Sequence, residues 1–178
     1  METPILQGER IFLRRLTEDD ATEEYVRWMN DPEINQYLES RFYIQTIESI
    51  RDFIRSVTNE RNYQFGIFDK KTGKHIGNIK IGSINQYHKT ADIGFLIGDK
   101  TYWGQGLASE AIGLATDFAF NVLGLHKVWG GLYSPNIGSM RAFQKNGYDF
   151  EGIKKSQCQL NGVYYDDILF GKINPKDK

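Results

Sequence analysis

Cysteine is nearly missing from this chain. Cys158 stands alone among 178 residues, which excludes an internal disulfide and any cysteine-based metal cluster. The three histidines, at positions 75, 88 and 126, lack the close spacing of a metal-binding motif, so no metal is expected. No apolar run approaches the ~20 residues that span a bilayer, and Met1-Glu2-Thr3-Pro4 has no basic-then-apolar leader pattern. An excess of one charge is absent too. Lys and Arg total 22, Asp and Glu 23, for a net charge of -1, so no global field draws in nucleic acid or an anionic membrane. There are no repeats, low-complexity tracts or linkers. These absences lead to the expectation of a cytoplasmic protein forming one domain over residues 1–178, with neither nucleic acid nor membrane as partner.

What is present is a mixture of two periodicities. Arg10 to Leu16 alternates as a first strand. Thr17 with Asp20 reads as a capping box opening a helix through Ala21, Tyr25 and Trp28 that stops near Asn30-Asp31-Pro32. Its acidic start, Glu18-Asp19-Asp20 with Glu23 and Glu24, reads as a solvated face favoured by the helix dipole. Thr46 opens a second helix with Ile47, Ile50, Phe53, Ile54 and Val57 as its apolar stripe. The stretch between them, Glu33 to Gln45, has no clear period. Gln64 to Asp69 and His75 to Ile84 form a hairpin across Lys70-Lys71-Thr72-Gly73, and Thr90 to Ile97 is the next strand. Leu107, Ala111, Leu114, Phe118 and Val122 mark a helix ended by Gly124. Lys127 to Tyr133 is a short strand, and Asn136 caps a helix through Ile137, Met140 and Phe143 that Gly147 closes. Tyr148 to Leu160 and Val163 to Ile173 flank Asn161-Gly162, a strong hairpin signal. The expected fold class is α/β (α+β), a mixed and mostly antiparallel sheet flanked by four helices.

Between the strand Thr90 to Ile97 and the helix that follows it lies Trp103-Gly104-Gln105-Gly106-Leu107-Ala108. Two glycines that open a helix serve a tight strand-to-helix turn, and the same arrangement leaves backbone N–H groups at the positive end of a helix dipole, a ready site for phosphate. Residue types alone leave both readings open.

The order of elements, with Gly104-Gln105-Gly106-Leu107-Ala108, Leu125-His126-Lys127-Val128, Asn136-Ile137-Gly138-Ser139 and Asn146-Gly147-Tyr148 in sequence, resembles the GNAT superfamily of N-acetyltransferases. Ile76-Gly77-Asn78-Ile79, Ala91-Asp92-Ile93-Gly94 and Glu151-Gly152 narrow the likeness to the branch of ribosomal-protein alanine acetyltransferases, which polyamine and amino-sugar acetyltransferases also resemble. The resemblance runs from Ile11 to Ile173. It implies acetyl-CoA as acetyl donor and a primary amine as acceptor. It also implies a cofactor site built from Phe95, Leu96 and Ile97 on the strand, Tyr102, Gly104, Gln105, Gly106, Leu107 and Ala108 at the turn, and Asn136 and Ser139 beyond. Helix capping explains an asparagine at 136 equally well.

Two departures stand out. The superfamily usually carries Gln or Arg three residues before the first glycine, where this chain has Thr101, and often a general-acid tyrosine where this chain has Phe143. The catalytic candidates are therefore Asp92, a carboxylate in a strand that would take the amine's proton, and Ser139, a hydroxyl near the leaving thiolate. A solvated, edge-facing aspartate is the alternative at position 92. His88 and His126 read as exposed, and Glu110 as an early-turn acid satisfied by the dipole. Cys158 has no evident histidine partner, so direct attack is expected without a covalent enzyme intermediate. Asp166 and Asp167 alternate to opposite faces, so at most one looks into a given pocket. Arg41 and Phe42 in the irregular segment, with Tyr165 and Asp166 near the end, are the acceptor candidates. The acceptor reading leans to a small-molecule amine such as an amino sugar, against a polyamine, a protein N-terminus, or a binding module that has lost its chemistry. Exposed strand edges in such folds allow a homodimer.

Overall fold

A computed structural model describes residues 4–57 and 62–177; the reading of Met1 to Thr3 as lacking a leader lies outside the described residues. Alternating apolar positions build one eight-stranded sheet. Its strands are β1 (Leu6–Gln7), β2 (Ile11–Arg15), β3 (Tyr63–Asp69), β4 (His75–Asn85), β5 (Thr90–Ile97), β6 (Lys127–Tyr133), β7 (Asp149–Leu160) and β8 (Val163–Ile173). The spatial order is β1-β2-β3-β4-β5-β6-β8-β7, and every pairing is antiparallel except β5 with β6. Among the described residues five α-helices complete it: α1 (Glu23–Asn30), α2 (Pro32–Asn35), α3 (Ile47–Ser56), α4 (Leu107–Asn121) and α5 (Ile137–Lys145). Among the described residues no helix is long and apolar enough to cross a membrane.

The period-2 alternation of β5 divides its side chains between two cores. Ala91 and Ile93 pack with Ala111, Ile112, Ala115 and Phe143 beneath α4 and α5. Leu96 packs on the opposite face with Leu16, Tyr25, Trp28, Ile50 and Ile54 beneath α1 and α3. A ligand that passes between β5 and β6 therefore goes from one layer of helices to the other.

Two boundaries differ from the expectation. The helix expected from Thr17 onward is broken. Glu18–Asp20 forms only a 3-10 turn, and α1 starts afresh on Thr22, whose hydroxyl accepts from the Tyr25 N–H at 3.3 Å. The break follows from Asp20, which is buried against Arg14 in a two-pronged ion pair at 2.6 and 2.8 Å rather than solvated on a helix face. Pro32 starts a helix rather than only ending one: it opens α2, with Asp31 as its cap. Proline is suited to that first position because its missing N–H would have had no partner there.

The β5–β6 ladder is short. It runs Thr90↔Lys127, Ala91↔Val128, Asp92↔Trp129, and among the described residues no strand pairs the β6-facing edge of β5 beyond that point. β6 continues to Tyr133 in pairing with β8, while β5 continues to Ile97 in pairing with β4. The two strands thus diverge as a wedge.

Candidate active site

The wedge opens into a cleft of about 670 Å³. Ile93 to Ile97 of β5 form one wall, Gly131 and Leu132 of β6 the other, and the starts of α4 and α5 close the phosphate end. Glu33 to Leu38, within the segment without a clear period, contribute a further wall. Side chains do not occupy the β5 edge at its centre: a Cβ built on Gly94 meets nothing within 4 Å. Backbone N–H and C=O groups left without a ladder partner cost about 1–3 kcal/mol each unless water or a ligand takes them. An extended ligand carrying amides fits such an edge.

At the phosphate end the chain turns through Gly104 (φ 72°) and Gly106 (φ 78°), and Gly106 caps α4. Positive φ at both positions is what glycine permits at little steric cost. α4 is fifteen residues long, so its N-terminal donors carry the positive end of a full helix dipole. A Cβ on Gly104 would meet nothing within 4 Å; the concave side of the turn is open. Arg141 and Lys145, four residues apart on one face of α5, line the same end and add positive charge. The donor set is N–H groups and cations, which suits a diphosphate.

Most of the cofactor candidates come together here. Phe95, Leu96, Ile97, Tyr102 and Gly104 line the cleft, as do Gly106, Leu107, Ala108, Asn136 and Ser139. Gln105 does not. Its amide Nε2 donates back to the Thr101 carbonyl at 2.8 Å, and its own carbonyl accepts from Arg10 Nη1 at 2.7 Å. Tyr102 contributes only its ring, because its hydroxyl donates to Asp69 at 2.8 Å. Asn136 is a cap as well as a wall: its Oδ1 accepts from the Ser139 N–H at 3.2 Å. Thr101 donates its N–H and hydroxyl to Asp99, at 2.9 and 2.6 Å.

Phe143 is 2% exposed, with its ring against Phe95, Tyr148 and Phe170. It carries no proton to give, and Ser139 is a hydroxyl that lines the same cleft. Asp92 stands two residues before Gly94 on the same face of β5, with Lys80 Nζ 3.1 Å from its carboxylate. It does not line the cleft directly.

The acceptor candidates are dispersed. Arg41 is not free to hold an acceptor: its Nη1 donates to Leu38 O and its Nη2 to Gln159 O, both at 2.7 Å, while its guanidinium lies over Phe42 and Tyr133. Phe42 is largely exposed beside it. Tyr165 lies opposite Cys158 in the β7–β8 ladder. Asp166 accepts from the Ser156 N–H at 2.8 Å and pairs with Lys155, which fixes a bulge in β7 and leaves it away from the cleft. Its neighbour Asp167 faces the cleft wall instead. Asp167 Oδ1 lies 2.8 Å from where Gly131 would carry a Cβ, and its side chain is 14% exposed against 30% for Asp166.

Sequence reading also missed Arg10 and underrated Glu110. Glu110 Oε1 accepts from the N–H groups of Arg10 and Ile11 at 2.8 and 3.2 Å, and Oε2 accepts from Arg10 Nε at 3.0 Å. Burial alone raises the Glu110 carboxyl, yet these donors outweigh it and hold the group below its usual range. A folded-state value below the unfolded one means stability present above the unfolded pKa of 4.5 and lost as pH falls through the lower folded value. Asp20 is depressed in the same sense, its burial outweighed by Arg14 and Thr17. Thermal unfolding followed from pH 7 to pH 3 is expected to show a loss of melting temperature that begins as pH falls toward 4.5. Glu110→Gln is expected to flatten part of that loss, and an unchanged slope would count against the Glu110 contribution.

The sequence profile of the acetyltransferase (GNAT) domain matches residues 10–149. Among curated relatives, the uncharacterized N-acetyltransferase YoaA of Bacillus subtilis is 31% identical over 177 residues, covering 98% of this chain and 99% of its own. Among solved structures, spermidine N-acetyltransferase from Vibrio cholerae, in complex with CoA and spermine, superposes with a TM-score of 0.85 at 22% identity over 94% of this chain and 97% of that one. Ribosomal-protein-S5-alanine acetyltransferase from Vibrio fischeri does so with a TM-score of 0.84 at 21% identity over 99% and 100%. At these identities the two structures establish the shared fold.

Proposed function

This chain belongs to the GNAT family of N-acetyltransferases and uses acetyl-CoA, and from that premise we propose that it acetylates the primary amine of a small metabolite, an amino sugar for example. The observation that carries the reading is the unpaired β5 edge running into the glycine turn, a groove for an amide-bearing arm that ends on a diphosphate. Acetyl-CoA bound there supplies an activated acetyl thioester.

The chain's own groups supply the rest. Backbone N–H groups near Phe95 and Leu96 face charge that develops on the thioester oxygen. Attack needs a neutral amine, since an ammonium has no lone pair. Asp92 stands about 7 Å along the strand from Gly94, within reach of the acceptor through one water, and takes that proton. Asp167 against Gly131 faces it from the other side of the wedge. The Ser139 hydroxyl would relay to the departing thiolate a proton taken up from solvent, in place of the phenol that Phe143 lacks.

Two features support a small acceptor. Arg41 ties the irregular segment to Gln159 of the β7–β8 hairpin, a cross-link that disfavours the spreading a protein terminus would need. Two carboxylates near the wedge already have cations: Asp92 has Lys80 and Asp167 has Lys154. A balanced recess suits a polar monoamine better than a polycation. The lone cysteine is consistent with a cytoplasmic address, and the outer edge of β7 is where a second copy would pair.

Steady-state assays with acetyl-CoA and a panel of glucosamine, spermidine and an alanine-terminated peptide test this. Turnover is expected for glucosamine ahead of the other two. Asp92→Asn should lower kcat by ~10²–10⁴ with the KM for acetyl-CoA unchanged. Saturable acetyl-CoA binding without any product would instead favour a binding module. Wild-type rates in the Asp92 variant would remove that residue from the reaction.

A further inference from the structure

Arg10 and Glu110 are one hundred residues apart and meet at the phosphate turn. We propose that Arg10, locked by Glu110, is the positioning residue that keeps the amides of this turn facing the cofactor's diphosphate. The inference rests on acetyl-CoA being the ligand of the cleft.

A turn that offers N–H groups to an anion has to send its carbonyls elsewhere, because a carbonyl oxygen facing phosphate is repulsive. In this turn the carbonyl at risk is that of Gln105, between the two positive-φ glycines. Arg10 Nη1 holds it at 2.7 Å. Arg10 cannot swing away, since its Nε is on Glu110 Oε2 and its own backbone N–H is on Glu110 Oε1. Glu110 in turn lies in the first turn of α4, the helix that the glycines open. The clasp therefore closes a small circuit: turn carbonyl, guanidinium, carboxylate, helix start. Gly8 allows it to close, because a Cβ there would fall 2.5 Å from Glu110 Oε1.

The second edge of the guanidinium faces the site. Arg10 Nη2 lies 3.8 Å, and Lys145 Nζ 3.9 Å, from where Gly106 would carry a Cβ. Two cations from distant parts of the chain thus bracket the helix start. A half-exposed ion pair contributes little to stability, and the Arg10 side chain is 48% exposed. Its placement is explained by the turn that it holds.

The test compares two ligands by calorimetry or protein-observed NMR: acetyl-CoA, and S-acetylpantetheine, which lacks the diphosphate. Arg10→Met is expected to weaken acetyl-CoA by about 10–100-fold, as for loss of a charge-assisted hydrogen bond, with S-acetylpantetheine within about twofold and little change in melting temperature. Arg10→Lys keeps the charge and loses the fork, so it should fall with Arg10→Met. Glu110→Gln should weaken acetyl-CoA less, and the double variant should be no worse than Arg10→Met alone. Unchanged acetyl-CoA affinity in Arg10→Met, or equal losses for both ligands, overturns the proposal. Failure of the wild type to bind acetyl-CoA would overturn the cofactor reading instead, and is seen separately.

Discussion

Gly106→Val is expected to lower acetyl-CoA affinity about 100-fold or more, equivalent to ~2.7 kcal/mol, while the protein still folds. Gly106 has φ 78° and is the cap of α4. A β-branched residue is a true outlier there and costs about 1–3 kcal/mol to hold. The backbone has two responses, and both damage the site. It can keep the left-handed conformation and push the valine side chain beside Arg10 and Lys145, where the diphosphate belongs. Or it can flip the Gln105–Gly106 peptide, which withdraws an N–H from the anion and breaks the Gln105 carbonyl from Arg10. Gly73 is the control. It has φ 70°, nothing within 4 Å of a built Cβ, and a place in the hairpin turn between β3 and β4. Gly73→Val should cost similar stability and leave acetyl-CoA affinity within about twofold. Calorimetric titration of both variants separates ligand contact from strain, and equal losses in the two would contradict the placement of the diphosphate.

Gly130→Ala is expected to be the more destabilising change, by roughly 2–4 kcal/mol, although it adds one methyl group. Its Cβ would fall 2.4 Å from Phe143 Cζ and 3.1 Å from the Ile93 carbonyl. Neither neighbour can give way. The Phe143 ring is packed against Phe95, Tyr148 and Phe170, and Ile93 is the residue at which β5 begins to leave β6. Gly130 is thus where the wedge is set, and Phe143 occupies the space that its missing side chain vacates. For a chain of this length the loss corresponds to a melting temperature lower by very roughly 5–15 °C. Displacement of Phe143 into the cleft should also weaken acetyl-CoA. Thermal unfolding with and without acetyl-CoA measures both effects, and a melting temperature equal to wild type would show that the ring is not confined by Gly130.

The order of strands and helices was legible because β2 and β5 alternate, turn residues punctuate the other strands, and α3 and α5 carry their caps in sequence. The phosphate turn was legible for a related reason: positive φ at two positions one residue apart leaves glycine as the cheap choice. What failed to show depends on partners distant along the chain. Asp20 looked like the first turn of a helix, and Arg14 on the preceding strand buries it instead. Residues 33–45 showed no period because they break into short turns with no continuous face to bury, and only Glu33 to Leu38 among them wall the cleft. Alternation placed Asp166 and Asp167 on opposite faces, yet the β6–β8 register, with Gly131 opposite Leu169 and Tyr133 opposite Asp167, decides which of them meets Gly131. Arg41 looked available for an acceptor, and its guanidinium is committed to two carbonyls. Nothing local links Arg10 to Glu110. Arg141 and Lys145 were readable in principle, as two cations spaced one helical turn apart beyond the Asn136 cap.

Mass spectrometry of the protein incubated with acetyl-CoA and the glucosamine, spermidine and peptide panel tests the central claim most directly. The account predicts one acetyl group gained on an amine, one equivalent of free CoA thiol released for each, and no acetyl group retained on the protein at Cys158. Acetyl-CoA binding without any acetylated amine, or acetyl transfer that passes through Cys158, would contradict it.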